Sequence, residues 1–190
     1  MDSLIFQLIP ALWLAWLGYW GWASRGNKPA QRTETLASRL QHVLPLVLAV
    51  ALIWAARIGW APLDAWLWPW QPAQYWAGAA LTAAGLLFTV WARRHLGRNW
   101  SGVVTIKRDH ELVCDGPYAL VRHPIYTGLL LAFVGSALAR GQWRGVLAVA
   151  LVLLAFWRKL RLEERWMRET FGARYEAYAG RVAALIPFVL

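Results

Sequence analysis

A chain of 190 residues with 59% hydrophobic and only 16% charged residues, and a mean hydropathy of +0.37, has too few charges to cover an ordinary soluble domain. The formal net charge of +10 does not indicate nucleic-acid binding, because lysine and arginine lie between apolar runs rather than along one face. The single cysteine, Cys114, excludes an internal disulfide and a cysteine-based zinc site.

Five apolar runs predict an all-α integral membrane protein, with residues 1–190 forming one domain. Several of these runs approach the roughly 20 residues that cross the hydrocarbon core of a bilayer. The predicted helices cover about residues 4–22, 36–60, 74–95, 124–139 and 143–171. The last helix should continue past the membrane to Phe171, where Gly172 provides a stop. The first run has no preceding Lys or Arg, which argues against a secretory signal peptide.

The distribution of Lys and Arg predicts the orientation of these helices. The connections after the first and third helices are basic, whereas the connection after the second, residues 61–72, has no Lys or Arg. The positive-inside rule therefore predicts an outer N-terminus and a cytoplasmic C-terminus, as in a bacterial inner membrane. Arg140 and Arg144, between the last two helices, are the only contrary charges. An aromatic belt on the outer face is predicted from Trp60, Trp66, Trp68, Trp70 and Trp76.

A basic and aromatic segment precedes the fourth predicted helix. Pro124 suits the first helical position, which places His123 at or just before the cap. The start of this helix should present N–H groups that can bind an anion, and Arg122 adds a planar fork suited to a carboxylate. Tyr126 supplies an aromatic ring with a hydroxyl, and Gly128 allows a close approach to the backbone.

Two adjacent carboxylates, Glu163 and Glu164, follow on the last predicted helix. Because both helices rise 1.5 Å per residue, a hairpin with arms of similar length brings these carboxylates back to the level of His123. Such a site could hold a zwitterionic ligand beside an apolar wall. The simpler interpretation is an interfacial helix cap and a solvated pair between Glu164 and Arg168, and the sequence leaves both open.

The C-terminal half resembles the isoprenylcysteine carboxyl methyltransferase family and the related phospholipid methyltransferases. The resemblance covers about residues 91–188 and has several motifs in the right order. They are His95-Leu96-Gly97-Arg98-Asn99-Trp100-Ser101, the Gly-Pro-Tyr…Arg-His-Pro-x-Tyr-x-Gly segment of residues 116–128, Glu163-Glu164, and a tail with Phe171-Gly172, Tyr175, Tyr178, Arg181 and Leu185-Ile186-Pro187.

This resemblance implies a membrane enzyme that transfers a methyl group from S-adenosyl-L-methionine to a lipophilic or prenylated acceptor reaching the site through membrane lipid. It implies cofactor contacts from Tyr118, Arg122, His123, Pro124, Tyr126, Gly128, Glu163 and Glu164. It also implies catalytic roles for Glu163, Glu164 and Arg181, with Arg181 near the reacting carboxylate, and no metal.

The identity of the acceptor stays open at this point. A carboxylate acceptor needs no general base, whereas an amine acceptor would need one, for which Glu163 or Glu164 is the nearest candidate. Departures from the family pattern at Ala119-Leu120, Met167 and Ala183-Ala184 leave substrate choice undetermined. The alternatives are a sterol-reductase-like enzyme that uses NADPH, a lipid amine N-methyltransferase, and a non-catalytic membrane protein. The oligomeric state is not predicted.

Overall fold

The computed structural model describes residues 7–26, 30–102, 104–107 and 111–187. Residues 4–6 of the first predicted helix, the basic residues Lys28 and Arg108, and Phe188 at the end of the predicted motif region lie outside the described residues. The chain is mostly helical, as predicted. The helices are α1 (Leu8–Ala23), α2 (Leu36–Trp54), α3 (Ala61–Asp64), α4 (Pro72–Leu96), α5 (Pro124–Arg140), α6 (Trp143–Phe171) and α7 (Ala173–Ala179).

Two short strands, β1 (Ala30–Thr33) and β2 (Thr105–Lys107), pair antiparallel and were not predicted. Arg32 of β1 ties this sheet to α6, since its guanidinium lies 2.7 Å from Glu169 and stacks 4.1 Å from the Trp166 ring centroid. The segment before β2 continues into the wall of the central cavity described below.

The predicted end of the second helix is wrong, because α2 stops at Trp54 instead of continuing to residue 60. Residues after Trp54 turn back, and the backbone N–H groups of Ile58 and Gly59 donate to the Asp64 carboxylate at 3.2 and 2.9 Å. Gly59 has a φ of 83°, a left-handed conformation that glycine adopts without strain. The Asp64 carboxylate therefore binds N–H groups that a further turn of α2 would have bound within the helix.

Arg140 and Arg144, the charges that opposed the predicted orientation, bind this same turn. Both guanidinium groups donate to the Ala55 carbonyl, at 2.7 and 2.8 Å, and both reach the Gln142 side chain. Arg144 is almost completely buried and lies 3.6 Å from Asp64. These arginines thus satisfy carbonyls at the C-terminus of α2, which accounts for their presence at the less basic end of the molecule.

Among the described residues, two helices are long and apolar enough to cross a membrane. They are Leu36–Trp54, with a mean hydropathy of 1.8, and Pro72–Asn99, which is α4 with its following turn and has a mean hydropathy of 1.3. The helix Pro124–Arg140 is apolar but shorter. Five membrane-spanning helices remain a prediction.

Glycines bring α4 and α5 into close contact, and this is the most extensive helix pairing of the fold. A Cβ on Gly78 would lie 2.5 Å from the Gly135 carbonyl, and one on Gly128 would lie 2.6 Å from the Gly85 carbonyl. Small residues allow such backbone contact in membrane proteins. The two faces match because each helix repeats its glycine after seven residues.

Helices α1 and α2 form the remaining walls. Trp13 of α1 donates to Ser136 of α5 at 3.1 Å, and Trp16 donates to Thr89 of α4 at 2.7 Å. Helix α2 packs along α6. Because α1 is held on α4 and α2 is held on α6, a space that α5 also lines remains between α1 and α2.

Candidate active site

That space is a cavity of about 580 Å³ lined by residues from almost every element. Its apolar half is formed by α1, α2 and the middle of α5 and α6, including Trp13, Trp16, Leu46 and Phe133. Its polar half lies at the end of the bundle that carries His95, Arg122 and Arg168, which we call the basic end. We call the polar half the charged pole and the apolar, aromatic half the tunnel.

Arg122 and Glu164 form the central ion pair of the polar half. Nε and one terminal nitrogen of Arg122 lie 2.8 and 2.6 Å from the same Glu164 oxygen. The other terminal nitrogen donates to the carbonyls of Ala179 and Val182 in the C-terminal tail. The Glu164 side chain is only 6% exposed, so this pair joins the segment before α5 to α6 and the tail inside the protein.

His123 lies between the two adjacent carboxylates. Its Nε2 is 3.2 Å from Glu164 Oε1, and its Nδ1 is 3.6 Å from Glu163 Oε2. Burial by itself lowers the pKa of His123, but its contacts with the two carboxylates outweigh burial and raise that pKa above the ordinary value. Both ring nitrogens face acceptors, an arrangement that the doubly protonated imidazolium satisfies.

Glu163 is the carboxylate that faces the cavity. It lines the cavity wall with a quarter of its side chain exposed, whereas Glu164 does not line it. Tyr126 donates to Glu163 Oε1 at 2.5 Å. Burial raises the pKa of both glutamates, but the hydrogen bonds and charge of His123 and the neighbouring cations outweigh it, so both pKa values lie below the ordinary value. Glu163 therefore presents a negative charge to whatever occupies the cavity.

A column of three rings leads from the charged pole into the tunnel. His123 stacks on Tyr126 with centroids 5.4 Å apart, and Tyr126 stacks on Phe156 at 4.8 Å. Since Tyr126 also holds Glu163, the same side chain orients the carboxylate and forms the apolar wall. The predicted meeting of His123 with the paired glutamates is thus found in the structure.

The C-terminal tail packs against the segment that leads into α5. The backbone N–H groups of Arg122 and His123 donate to Ala183 and Ala184 at 2.8 and 3.0 Å, and Thr127 donates to Leu185 at 2.7 Å. The Arg122 guanidinium is likewise engaged with protein acceptors. This end of α5 therefore anchors the tail, and the Arg122 fork serves Glu164.

The structure separates the other predicted site residues. Tyr118 and Pro124 line the cavity, close to Arg122 and His123. Gly128 does not line it: the backbone that approaches Gly128 is that of α4, so Gly128 serves helix packing, and its cofactor contact stays a prediction. Arg181 is exposed, donates to the Ala177 carbonyl at 3.1 Å and also lies outside the lining. Its catalytic role stays a prediction.

Sequence reasoning assigned no role to five polar residues that line the cavity: Asn99, Ser101, Thr105, Glu111 and Lys159. Lys159 lies one helical turn before Glu163, and its amine donates to the Gly102 carbonyl at 3.1 Å. Asn99 is 8% exposed, and its Oδ1 has no hydrogen-bond partner among the described residues, while its amide nitrogen approaches Glu111 at 3.4 Å. Lys159 could have been found from the sequence, because it lies four residues before Glu163 and therefore on the same face of the helix. Asn99 could have been found because it belongs to the motif of residues 95–101.

Comparison with known proteins adds an independent result. The sequence model of the phospholipid methyltransferase family (PEMT) matches residues 73–174. The chain is 34% identical over 96 residues to protein-S-isoprenylcysteine O-methyltransferase B of Arabidopsis thaliana, covering 49% of each protein. It is 38% identical over 96 residues to the protein-S-isoprenylcysteine O-methyltransferase of Schizosaccharomyces pombe, covering 49% of this chain and 41% of that protein.

A third relative is matched over more of its length. The chain is 32% identical over 133 residues to a probable protein-S-isoprenylcysteine O-methyltransferase of Oryza sativa subsp. indica, covering 66% of this chain and 69% of that protein. The first two matches span about half or less of the relatives' length. The charged cluster of Arg122, His123, Glu163 and Glu164 falls inside the family match.

Proposed function

The chain belongs to the isoprenylcysteine carboxyl methyltransferase family, and from this premise we propose that it is an integral membrane methyltransferase. Its methyl donor is S-adenosyl-L-methionine, and its acceptor is a carboxylate on a prenylated or lipid-like molecule. The observation that carries the proposal is Glu163, an ionised carboxylate that faces a cavity with one charged and one aromatic half.

The residues present fit the proposed methyl donor. The Glu163 carboxylate can attract a cationic ligand, and the unpartnered Oδ1 of buried Asn99 offers an acceptor to an amine or hydroxyl. Tyr178 and Trp100 add aromatic surface to the same cavity. We assign Glu163, Asn99 and Tyr118 to hold the donor, with His123 and Glu164 orienting Glu163 and the neighbouring wall.

The donor supplies an electrophilic methyl group bound to a sulfonium. The protein aligns the acceptor oxygen with this methyl group and excludes water. Holding two reactants in a reactive geometry can by itself raise the rate greatly. Tyr126 and Phe156 form a dry wall beside Glu163. No residue has to remove a proton, because a carboxylate is ionised at neutral pH.

The electrostatics favour a carboxylate acceptor over an amine. An effective general base has a pKa near the working pH, but the pKa values of both glutamates are lowered by their cationic neighbours. These groups bind and orient well but accept a proton poorly. A lipid amine would meet no well-matched base among them.

The acceptor enters from the lipid, in the space between α1 and α2. Leu17 of α1 and Val50 and Trp54 of α2 line the cavity and are also exposed on the surface, at 55%, 44% and 39%. In a membrane these side chains face acyl chains, so a prenyl group can pass between them without crossing water. We place all five long helices across the membrane, with the basic end at the cytoplasmic face.

Methyl transfer by protein purified in detergent tests this function. Tritiated S-adenosyl-L-methionine is supplied with N-acetyl-S-farnesyl-L-cysteine, or with phosphatidylethanolamine in mixed micelles. We expect a base-labile tritiated methyl ester on the farnesylated acid. A base-stable methyl group on the lipid would indicate the amine reaction, and binding of NADPH without binding of the methyl donor would indicate a reductase.

A further inference from the structure

Lys159 lies at the boundary between the polar and apolar halves of the cavity. Along α6, Phe156 precedes it by one turn on the tunnel side, and Glu163 follows by one turn at the charged pole. Its amine is 5.4 Å from the Tyr126 ring centroid, and its only described hydrogen bond is to the Gly102 carbonyl. Among the described residues, no carboxylate forms an ion pair with it.

No carboxylate oxygen of the described residues lies within 4.0 Å of the Lys159 amine, although Glu111 also lines the cavity and the charge of Lys159 helps to lower the pKa of Glu163. The cations Arg122 and His123 are matched by the anions Glu163 and Glu164 through contacts of 2.6 to 3.6 Å. The Lys159 ammonium has three donors, and among the described residues only the Gly102 carbonyl accepts from it. A partly buried ammonium is stabilised when an anion joins it, so the cavity is complementary to a ligand with a carboxylate near this point.

We propose that Lys159 binds the carboxylate of the acceptor, with the acceptor's prenyl chain extending from it along Phe156 and Phe133 into the tunnel. This inference rests on the proposed function. Lys159 lies between Glu163 and the apolar half of the cavity. This position suits a carboxylate that is joined to a hydrocarbon chain better than it suits the polar end of the methyl donor. Lys159 therefore takes the position in the site that the sequence had suggested for Arg181.

The same contact separates substrate from product. When the acceptor oxygen gains the methyl group, a C–O bond forms as the C–S bond breaks, and no proton moves. The resulting ester carries no charge, so the ammonium of Lys159 attracts the product less than the substrate. The lysine consequently favours binding of the acid and release of the ester.

The test compares N-acetyl-S-farnesyl-L-cysteine with its carboxamide, which has the same chain and no charge. Binding of each to detergent-purified protein is measured by calorimetry without turnover. We expect the normal protein to prefer the acid by about tenfold, equivalent to about 1.4 kcal/mol, and Lys159→Gln to lose this preference. Lys159→Arg should restore most of it. Arg161→Gln, which removes an exposed charge lying over Trp157 on the same helix, is the matched control and should keep it.

Two further measurements keep this inference separate from the proposed function. In Lys159→Gln, the KM for the farnesylated acid should rise about tenfold while the Kd for S-adenosyl-L-methionine stays within twofold. An unchanged preference for the acid would overturn the inference, as would an equal loss of methyl-donor affinity, which would pair Lys159 with the donor. Failure of the normal protein to esterify the acid would instead reject the proposed function, whatever the binding preference.

Discussion

Replacing Glu164 by glutamine removes a negative charge that holds two buried cations. Arg122 and His123 are 12% and 10% exposed and lie 2.6 and 3.2 Å from the Glu164 carboxylate. Breaking a buried ion pair from one side costs about 3–5 kcal/mol. Because Arg122 keeps its carbonyl partners in the tail, we expect the lower end of that range, about 3 kcal/mol.

Glu163→Gln is the matched comparison, since it changes the neighbouring residue in the same way. Its side chain is 25% exposed, His123 keeps Glu164, and Tyr126 can donate to an amide oxygen. The loss of stability should be about 1 kcal/mol, the usual value of one hydrogen bond. The affinity for S-adenosyl-L-methionine should follow the opposite order and fall at least tenfold in Glu163→Gln, because only Glu163 faces the cavity.

The assay is equilibrium unfolding in mixed detergent micelles, followed by calorimetry of methyl-donor binding at a temperature where both variants are folded. A smaller loss of stability in Glu164→Gln than in Glu163→Gln would refute the assignment of Glu164 to structure. Equal donor affinities in the two folded variants would refute the assignment of Glu163 to binding.

Three further predictions concern pH, orientation and packing. The folded state lowers the pKa of Glu164 and raises that of His123, so their stabilisation is lost as pH falls through the first folded pKa and as it rises through the second. Unfolding free energy should therefore peak between about pH 4.3 and 6.5, the ordinary values of the two groups, and the acid limb should weaken in Glu164→Gln. An impermeant thiol reagent should label exposed Cys114 in inverted vesicles but not in intact cells, and labelling of intact cells would reverse the proposed orientation. Gly128→Ala should cost about 2 kcal/mol through its collision with the α4 backbone, whereas Gly18→Ala, which has open space, should not; equal unfolding free energies would contradict this packing.

Much of the helical framework could be predicted because its signals are local. Apolar runs, Pro124 at a helix start and Gly172 at a helix end act on the residues beside them, and the α5 and α6 boundaries agree with the prediction to within a residue. The end of α2 could not be predicted in this way. Asp64, Arg140 and Arg144 decide it, and they reach the turn after α2 only in the folded chain.

The sequence by itself determined the helical hairpin, and the fixed rise of its arms predicted that His123 and the two glutamates lie at the same level. Tertiary structure decided what each of them does. Neighbouring residues on a helix point about 100° apart, so packing of the tail around Arg122 buries Glu164 and leaves Glu163 toward the cavity. Packing of α4 likewise takes the space beside Gly128, and the gap between α1 and α2 makes Lys159 part of the site. These assignments depend on contacts between distant segments, which no local pattern in the chain records.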